Sequence, residues 1–165
     1  MTTRRIFTFN DAPLTEKCSP ITNVDGKVHE LINDMIETMY HDAGIGLAAP
    51  QIGISSRLVV IDVSEDGEKP FAIINPEIIQ SHGQANSDEG CLSIPGYRDS
   101  IKRKASVLVR GINPEGEEFE IEASGLLSFC LQHEIDHLDG VLFVDHLSRI
   151  KREFFKRWAA KEEIK

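Results

Sequence analysis

The segment Gln132-His133-Glu134-Ile135-Asp136-His137 organises the whole chain, because it reads H-E-x-x-H inside a stretch that favours a helix. Residues four apart on a helix share a face, so imidazoles at this spacing converge on one divalent cation. The glutamate beside the first of them lies where a base would take a proton from water activated by that cation. A single histidine on such a face is ordinarily a core residue; two with a glutamate beside the first favour a metal. The apolar pattern predicts a helix from about Ser124 to Leu138, stopped by Asp139-Gly140.

Upstream, Val28, Leu31, Ile32, Met35, Ile36 and Met39 form the stripe of an amphipathic helix from Asp25, its N-cap, to His41, with Gly44 after its end. Arg57 to Val63 and Phe71 to Asn75 are rich in β-branched residues and predict strands, whereas polar Ser81 to Asp88 reads as a loop. Ala105 to Gly111 and Glu117 to Glu122 alternate, and Asn113-Pro114-Glu115-Gly116 between them is turn chemistry, so a hairpin is expected. Downstream, Val141 to Val144 is a short apolar segment and Ser148 caps a terminal helix reaching about Lys161. No repeat or linker divides the chain. The expectation is a single metallohydrolase domain over residues 1–165. Its class is α+β, with mostly antiparallel sheets around a central helix carrying H-E-x-x-H and a helix at either end.

Hydrophobic content of 41% and charged content of 27% suit a soluble globular protein. No apolar run approaches a membrane span, and the opening residues lack a secretory signal, so a cytoplasmic protein is expected. Cys18, Cys91 and Cys130 are too few and too scattered for a disulfide framework. A net charge of −9 argues against binding DNA, yet Arg149 to Lys161 holds six Lys or Arg residues against one acid, Glu153.

The H-E-x-x-H pair needs a third ligand. Cys91, in Glu89-Gly90-Cys91-Leu92-Ser93, is the leading candidate; Cys130, three residues before His133, competes and alternatively lines a pocket. His₂Cys with an open fourth position is a catalytic arrangement, since structural zinc sites fill all four positions with protein. Gly44, Gly46 and Ala49 also match a dinucleotide-binding fingerprint. That fingerprint must follow a strand and open a helix. Here it follows a helix and meets Pro50, so it is rejected.

Three segments, Gly44 to Gln51, Glu89 to Ser93 and His133 to Gly140, closely resemble the G-Φ-G-Φ-A-A-x-Q, E-G-C-L-S and H-E-x-D-H-L-x-G motifs (Φ apolar) of the peptide deformylase family. The resemblance implies removal of the formyl group from N-formylmethionyl nascent peptides, with release of formate. It implies that Cys91, His133 and His137 hold the metal and that Glu134 is the general base and acid. Gln51, through its side-chain amide, and Leu92, through its N–H, would stabilise the oxyanion. Ile45 and Gly46 would flank the substrate, with Arg98, Phe129 and Cys130 near its pocket and Glu89 orienting a ligand. It implies Fe²⁺ as the metal, with Zn²⁺, Ni²⁺ or Co²⁺ able to substitute, in a monomeric bacterial protein. Asp11-Ala12-Pro13-Leu14-Thr15 departs from the family's usual P-x-L opening, and an effect on packing is expected there.

Two rivals stand beside this reading. An H-E-x-x-H metallopeptidase ordinarily draws its third ligand from downstream, and a non-catalytic metal- or peptide-binding module has no use for Glu134. For the basic tail, Ile150, Phe154, Phe155 and Trp158 predict a helix packed on the domain. The alternative is contact with the ribosome through Arg149, Lys151, Arg152, Lys156 and Arg157.

Overall fold

The computed structural model describes residues 2–164. Helix α1 (Gly26–His41) leads into a short strand β1 (Gly46–Ala48), a 3-10 turn (Ala49–Ile52) and β2 (Leu58–Ile61). Then come β3 (Phe71–His82), β4 (Ala85–Cys91), β5 (Ile94–Arg103), β6 (Ser106–Ile112) and β7 (Glu118–Ser124). Helix α2 (Gly125–Leu138), a 3-10 turn (Phe143–His146) and α3 (Arg149–Ile164) complete the chain. One sheet has the order β1-β2-β3-β6-β7, the other is the ribbon β4-β5, and every strand pair is antiparallel. The expected α+β class is what the structure has.

Strand β2 shows why the layers assemble as they do. Leu58 and Val60 point to one face, where Ile32, Met35 and Met39 of α1 pack; Val59 and Ile61 point to the other, against Leu131, Ile135 and Leu138 of α2. A strand covered on both faces reads as a continuous apolar run, which is what Leu58 to Ile61 is. Helix α2 is therefore enclosed, with Gln132, His133, Glu134 and His137 all buried. Gln132 fastens it to the β5–β6 junction, accepting from Lys104 N–H and donating to Lys104 C=O, both at 2.9 Å. The expected caps are present as well. Asp25 accepts from the N–H groups of Lys27 and Val28 at 3.1 Å, and Gly140 closes α2 with φ of 76°.

Three expectations need correction. Strand β3 does not end at Asn75 but continues to His82 through a bulge, where Asn75 (φ 52°) and Pro76 drop out of the pairing with β6. A bulge is where a proline's missing N–H costs no ladder bond. Ser81 to Asp88 is not a loop: Ala85 onward is β4, paired along its length with β5. Its inward residues Ser87 and Glu89 are polar, so no apolar alternation marked it. Finally, α3 packs through Phe155, Trp158 and Ala159, while Ile150 (70% exposed) and Phe154 (58%) face outward. Leu14, within the divergent opening, is wholly buried in a 3-10 turn, a packing role.

Candidate active site

A cleft of about 790 Å³ opens between the Gly44–Gly46 segment, the β4–β5 turn and α2. At its base the ligand atoms of Cys91, His133 and His137 lie within 4.8 Å of one another, with Cys91 Sγ 3.4 Å from His137 Nε2. Sulfur and nitrogen bound to one tetrahedral ion at usual bond lengths stand roughly 3.5 Å apart, so the spacing fits a cation. Cys130 is not part of this cluster: its Sγ lies 3.8 Å from the Ile45 carbonyl. Sequence spacing left the two cysteines in competition; the fold brings Cys91 to the histidines.

The ring orientations follow from buried charge. Glu89 Oε1 accepts from His133 Nδ1 at 2.8 Å, which leaves Nε2 of that ring free for the cleft. Glu89 is itself gripped by Arg103, whose Nε and Nη2 each reach a carboxylate oxygen at 2.8 Å. Burial pushes the Glu89 carboxyl up, but Arg103 and His133 outweigh it and hold the group down at about 2. Arg103 also donates to Asp136 at 2.6 Å, and Asp136 accepts from His146 Nε2 at 2.9 Å. Arg103, Asp136 and His146 escaped the sequence reading as partners. They lie on β5, α2 and the turn after it, and only the fold sets them side by side.

Burial raises the Glu134 carboxyl to about 7 despite the opposing charge of His133, and Glu134 Oε1 has no hydrogen-bond partner. Burial likewise pushes His137 well below the usual imidazole range, keeping it neutral as a ligand must be. Burial also opposes charge on His133, but Glu134, Cys91 and Glu89 prevail and raise it well above that range. Three acidic neighbours thus favour a positive charge where His133 faces the cleft, a demand that a divalent cation meets by displacing the proton.

The remaining candidates surround this point. Gln51 is buried; its Oε1 accepts from Ala48 N–H at 2.9 Å and its Nε2 stands 3.6 Å from Cys91 Sγ. Leu92 follows Cys91 in the β4–β5 turn and touches Gly44, where an added Cβ would sit 2.8 Å from Leu92 Cδ1. At Gly46 an added Cβ would meet Glu134 Oε2 at 2.5 Å and Cys130 Sγ at 2.9 Å. Both glycines therefore permit close approach. Ile45 C=O accepts from Asp62 N–H at 2.8 Å, and Gly46 pairs with Ile61. In that register Gly46 turns its own N–H and C=O away from β2, along the free edge of the sheet. Phe129, Cys130 and Arg98 line the cleft, as do Leu126 (55% exposed) and Tyr97, which no sequence signal marked. Arg98 donates to Asp88 C=O at 3.2 Å.

This arrangement has close relatives. Residues 3–153 match the family model described as polypeptide deformylase. The chain is 50% identical over 151 residues to a peptide deformylase of Thermodesulfovibrio yellowstonii, covering 90% of this chain and 92% of that one. It superimposes on the crystal structure of a peptide deformylase from Legionella pneumophila with a TM-score of 0.92 and 46% identity, over 98% and 96% of the two chains. A peptide deformylase from Ehrlichia chaffeensis, crystallised with actinonin, gives 0.92 at 39% identity over 99% of each chain. With Cys91 gathered beside His133, His137 and Glu134 as described, and with this extent of likeness, the chain belongs to the polypeptide deformylase family.

Proposed function

We infer that the chain is a metal-dependent hydrolase that removes the formyl group from N-formylmethionyl peptides, releasing formate and a free amino terminus. The observation that carries this is the meeting of Cys91, His133 and His137 beside the buried Glu134, whose Oε1 has no hydrogen-bond partner among the described residues, at the base of an open cleft. Cys91, His133 and His137 would hold one divalent ion, which when bound polarises the formyl carbonyl and acidifies water. Glu134 accepts the proton of the attacking water and returns it to the departing nitrogen; a carboxyl near 7 suits both transfers. Gln51 Nε2 and Leu92 N–H supply hydrogen bonds to the developing oxyanion. Losing one such donor costs about 10²–10³ in turnover. Gly46, at the free sheet edge, pairs with the peptide backbone as an added strand would. Ile45, Phe129, Cys130 and Leu126 receive the methionine side chain, and Arg98 stands at the rim.

Selectivity for formyl follows from the walls. Gly44 lies against Leu92 and Gly46 against Glu134; walls this close support a site that takes the hydrogen of a formyl group and clashes with the methyl of an acetyl group. Fe²⁺ is the ion we assign, on the family resemblance; a thiolate with two imidazoles also accepts Zn²⁺, Ni²⁺ or Co²⁺. We assign the protein as a single-domain cytoplasmic monomer. Among the described residues no helix is long and apolar enough to cross a membrane. The outward-facing Ile150 and Phe154, set among Arg149, Lys151 and Lys156, support ribosome contact through α3.

Formate release from formyl-Met-Ala-Ser by anaerobically purified protein tests the function, with acetyl-Met-Ala-Ser as the control. Equal turnover of both would overturn the assignment. Metal analysis of the same preparation tests iron. Ribosome co-sedimentation that survives deletion of residues beyond Ser148 would dismiss the docking role.

A further inference from the structure

Gln51 and Cys91 stand on different elements, the 3-10 turn between β1 and β2 of the five-stranded sheet and the last residue of β4 in the ribbon. Ser93 joins them. Its Oγ accepts from Gln51 Nε2 at 3.1 Å, and the same nitrogen donates its other N–H to Cys91 Sγ at 3.6 Å. Ser93 is wholly buried and Gln51 is 1% exposed, so neither has water as an alternative partner. A primary amide carries two coplanar N–H bonds. When one points at Ser93 Oγ, the direction of the other is set. The flipped amide is excluded at the opposite end, because Ala48 N–H only donates and must meet Oε1.

Ser93 is held in turn. Its carbonyl accepts from Phe9 N–H at 3.0 Å, while the Gln51 carbonyl accepts from Phe7 N–H at 2.7 Å. The N-terminal segment thus straps both partners through residues two apart, Phe7 and Phe9, where the chain enters a turn. The Phe9 ring anchors that strap against Phe155 and Trp158 of α3, with centroids 5.5 and 6.4 Å away.

We propose that Ser93 is a positioning residue for deformylation: its hydroxyl occupies one N–H of Gln51 and thereby holds the other on the Cys91 side of the cleft, where it meets the oxyanion, while the Phe7–Phe9 strap holds the pair in register. The proposal rests on the function inferred above and deepens it. Ser93 touches no reacting atom; it acts through Gln51.

The matched pair Ser93→Thr and Ser93→Val tests it, since the two side chains have nearly the same size and differ in the hydroxyl. With formyl-Met-Ala-Ser, Ser93→Val should lose about 10–100-fold in kcat relative to Ser93→Thr, with KM within about twofold and equal metal content. In a Gln51→Ala background the same exchange should change nothing, because the group that Ser93 aims is gone. A further readout needs no turnover: the two Gln51 Nε2 protons of the metal-free protein should be more widely separated in shift in Ser93→Thr than in Ser93→Val. Equal kcat for the pair, or an equal loss with and without Gln51, overturns the proposal alone. Wild-type protein that releases no formate overturns the functional reading and the proposal together.

Discussion

The five-stranded sheet and the β4–β5 ribbon have the same antiparallel geometry and are held by opposite means. The sheet buries the apolar side chains of Val59, Ile61, Ile73, Val107 and Val109 against Leu131, Ile135 and Leu138 of α2. The ribbon turns Ser87, Glu89 and Arg103 inward, and its place is decided by the Glu89–Arg103–Asp136 ion chain together with Ile94 and Ile101. Apolar contacts are forgiving in direction, so they build a platform; charged hydrogen bonds are directional, so they set angles. The ribbon is the part that delivers Cys91 and orients His133. Directional bonding resides where orientation matters to the chemistry.

The largest effect should come where the ribbon meets the metal. Cys91→Ala should purify with metal content falling from one ion per chain toward none, and Glu134→Gln should keep the metal yet lose about 10²–10⁴ in turnover. Elemental analysis beside formate release separates the two; a Cys91→Ala protein with full metal would break the contrast at once.

Next is Arg103→Met, which strands the Glu89 carboxylate in the interior. Breaking one partner of a buried pair costs about 3–5 kcal/mol, measurable by urea unfolding of the metal-free protein. Restoring much of that stability with Glu89→Gln in the same chain would sharpen the case that charge, not packing, holds the ribbon.

A pH series follows from the same pair. Glu89 titrates at about 2 when folded and near 4.5 when unfolded, so the unfolded chain binds more protons between those values. The stabilisation is complete above about pH 4.5 and is lost as pH falls toward 2. Metal-free wild-type protein should therefore show a steeper fall of Tm than Glu89→Gln as pH falls from about 4.5 toward 2, the window set by the two carboxyl values. Parallel slopes would remove Glu89 from the account.

The smallest effect belongs to the sheet. Ile73→Val should cost about 0.5–1.5 kcal/mol and leave turnover untouched. A marked loss of activity from so mild a trimming would show that the platform also sets angles, and the contrast between the two regions would fail.

Legibility followed the same division. Helix α1 and the β6–β7 hairpin were readable because their apolar residues repeat with the period of the backbone, β2 because it is an unbroken apolar run, and α2 because its H-E-x-x-H spacing and the Asp139-Gly140 stop are local signals. Strand β4 was not, since a polar inner face looks like a loop until its partners are known. The second half of β3 was hidden behind Asn75-Pro76, which normally ends a strand and here sits in a bulge. At the site, His133, Glu134 and His137 announce themselves because an i, i+4 spacing is a local relation. Glu89 was visible as a neighbour of Cys91, although its bond to His133 was not.

The chain's own order of residues determined the residue types of the candidate metal site, the helix that carries two of them and the apolar faces that enclose it, because those depend on neighbours a few positions away. The choice of Cys91 over Cys130, the grip of Arg103 on Glu89 and the alignment of Ser93 with Gln51 were decided only in three dimensions. Each joins residues from separate elements, and a hydrogen bond or a coordination sphere is defined within a few tenths of an ångström. No linear pattern carries that register; strand pairing and helix packing do.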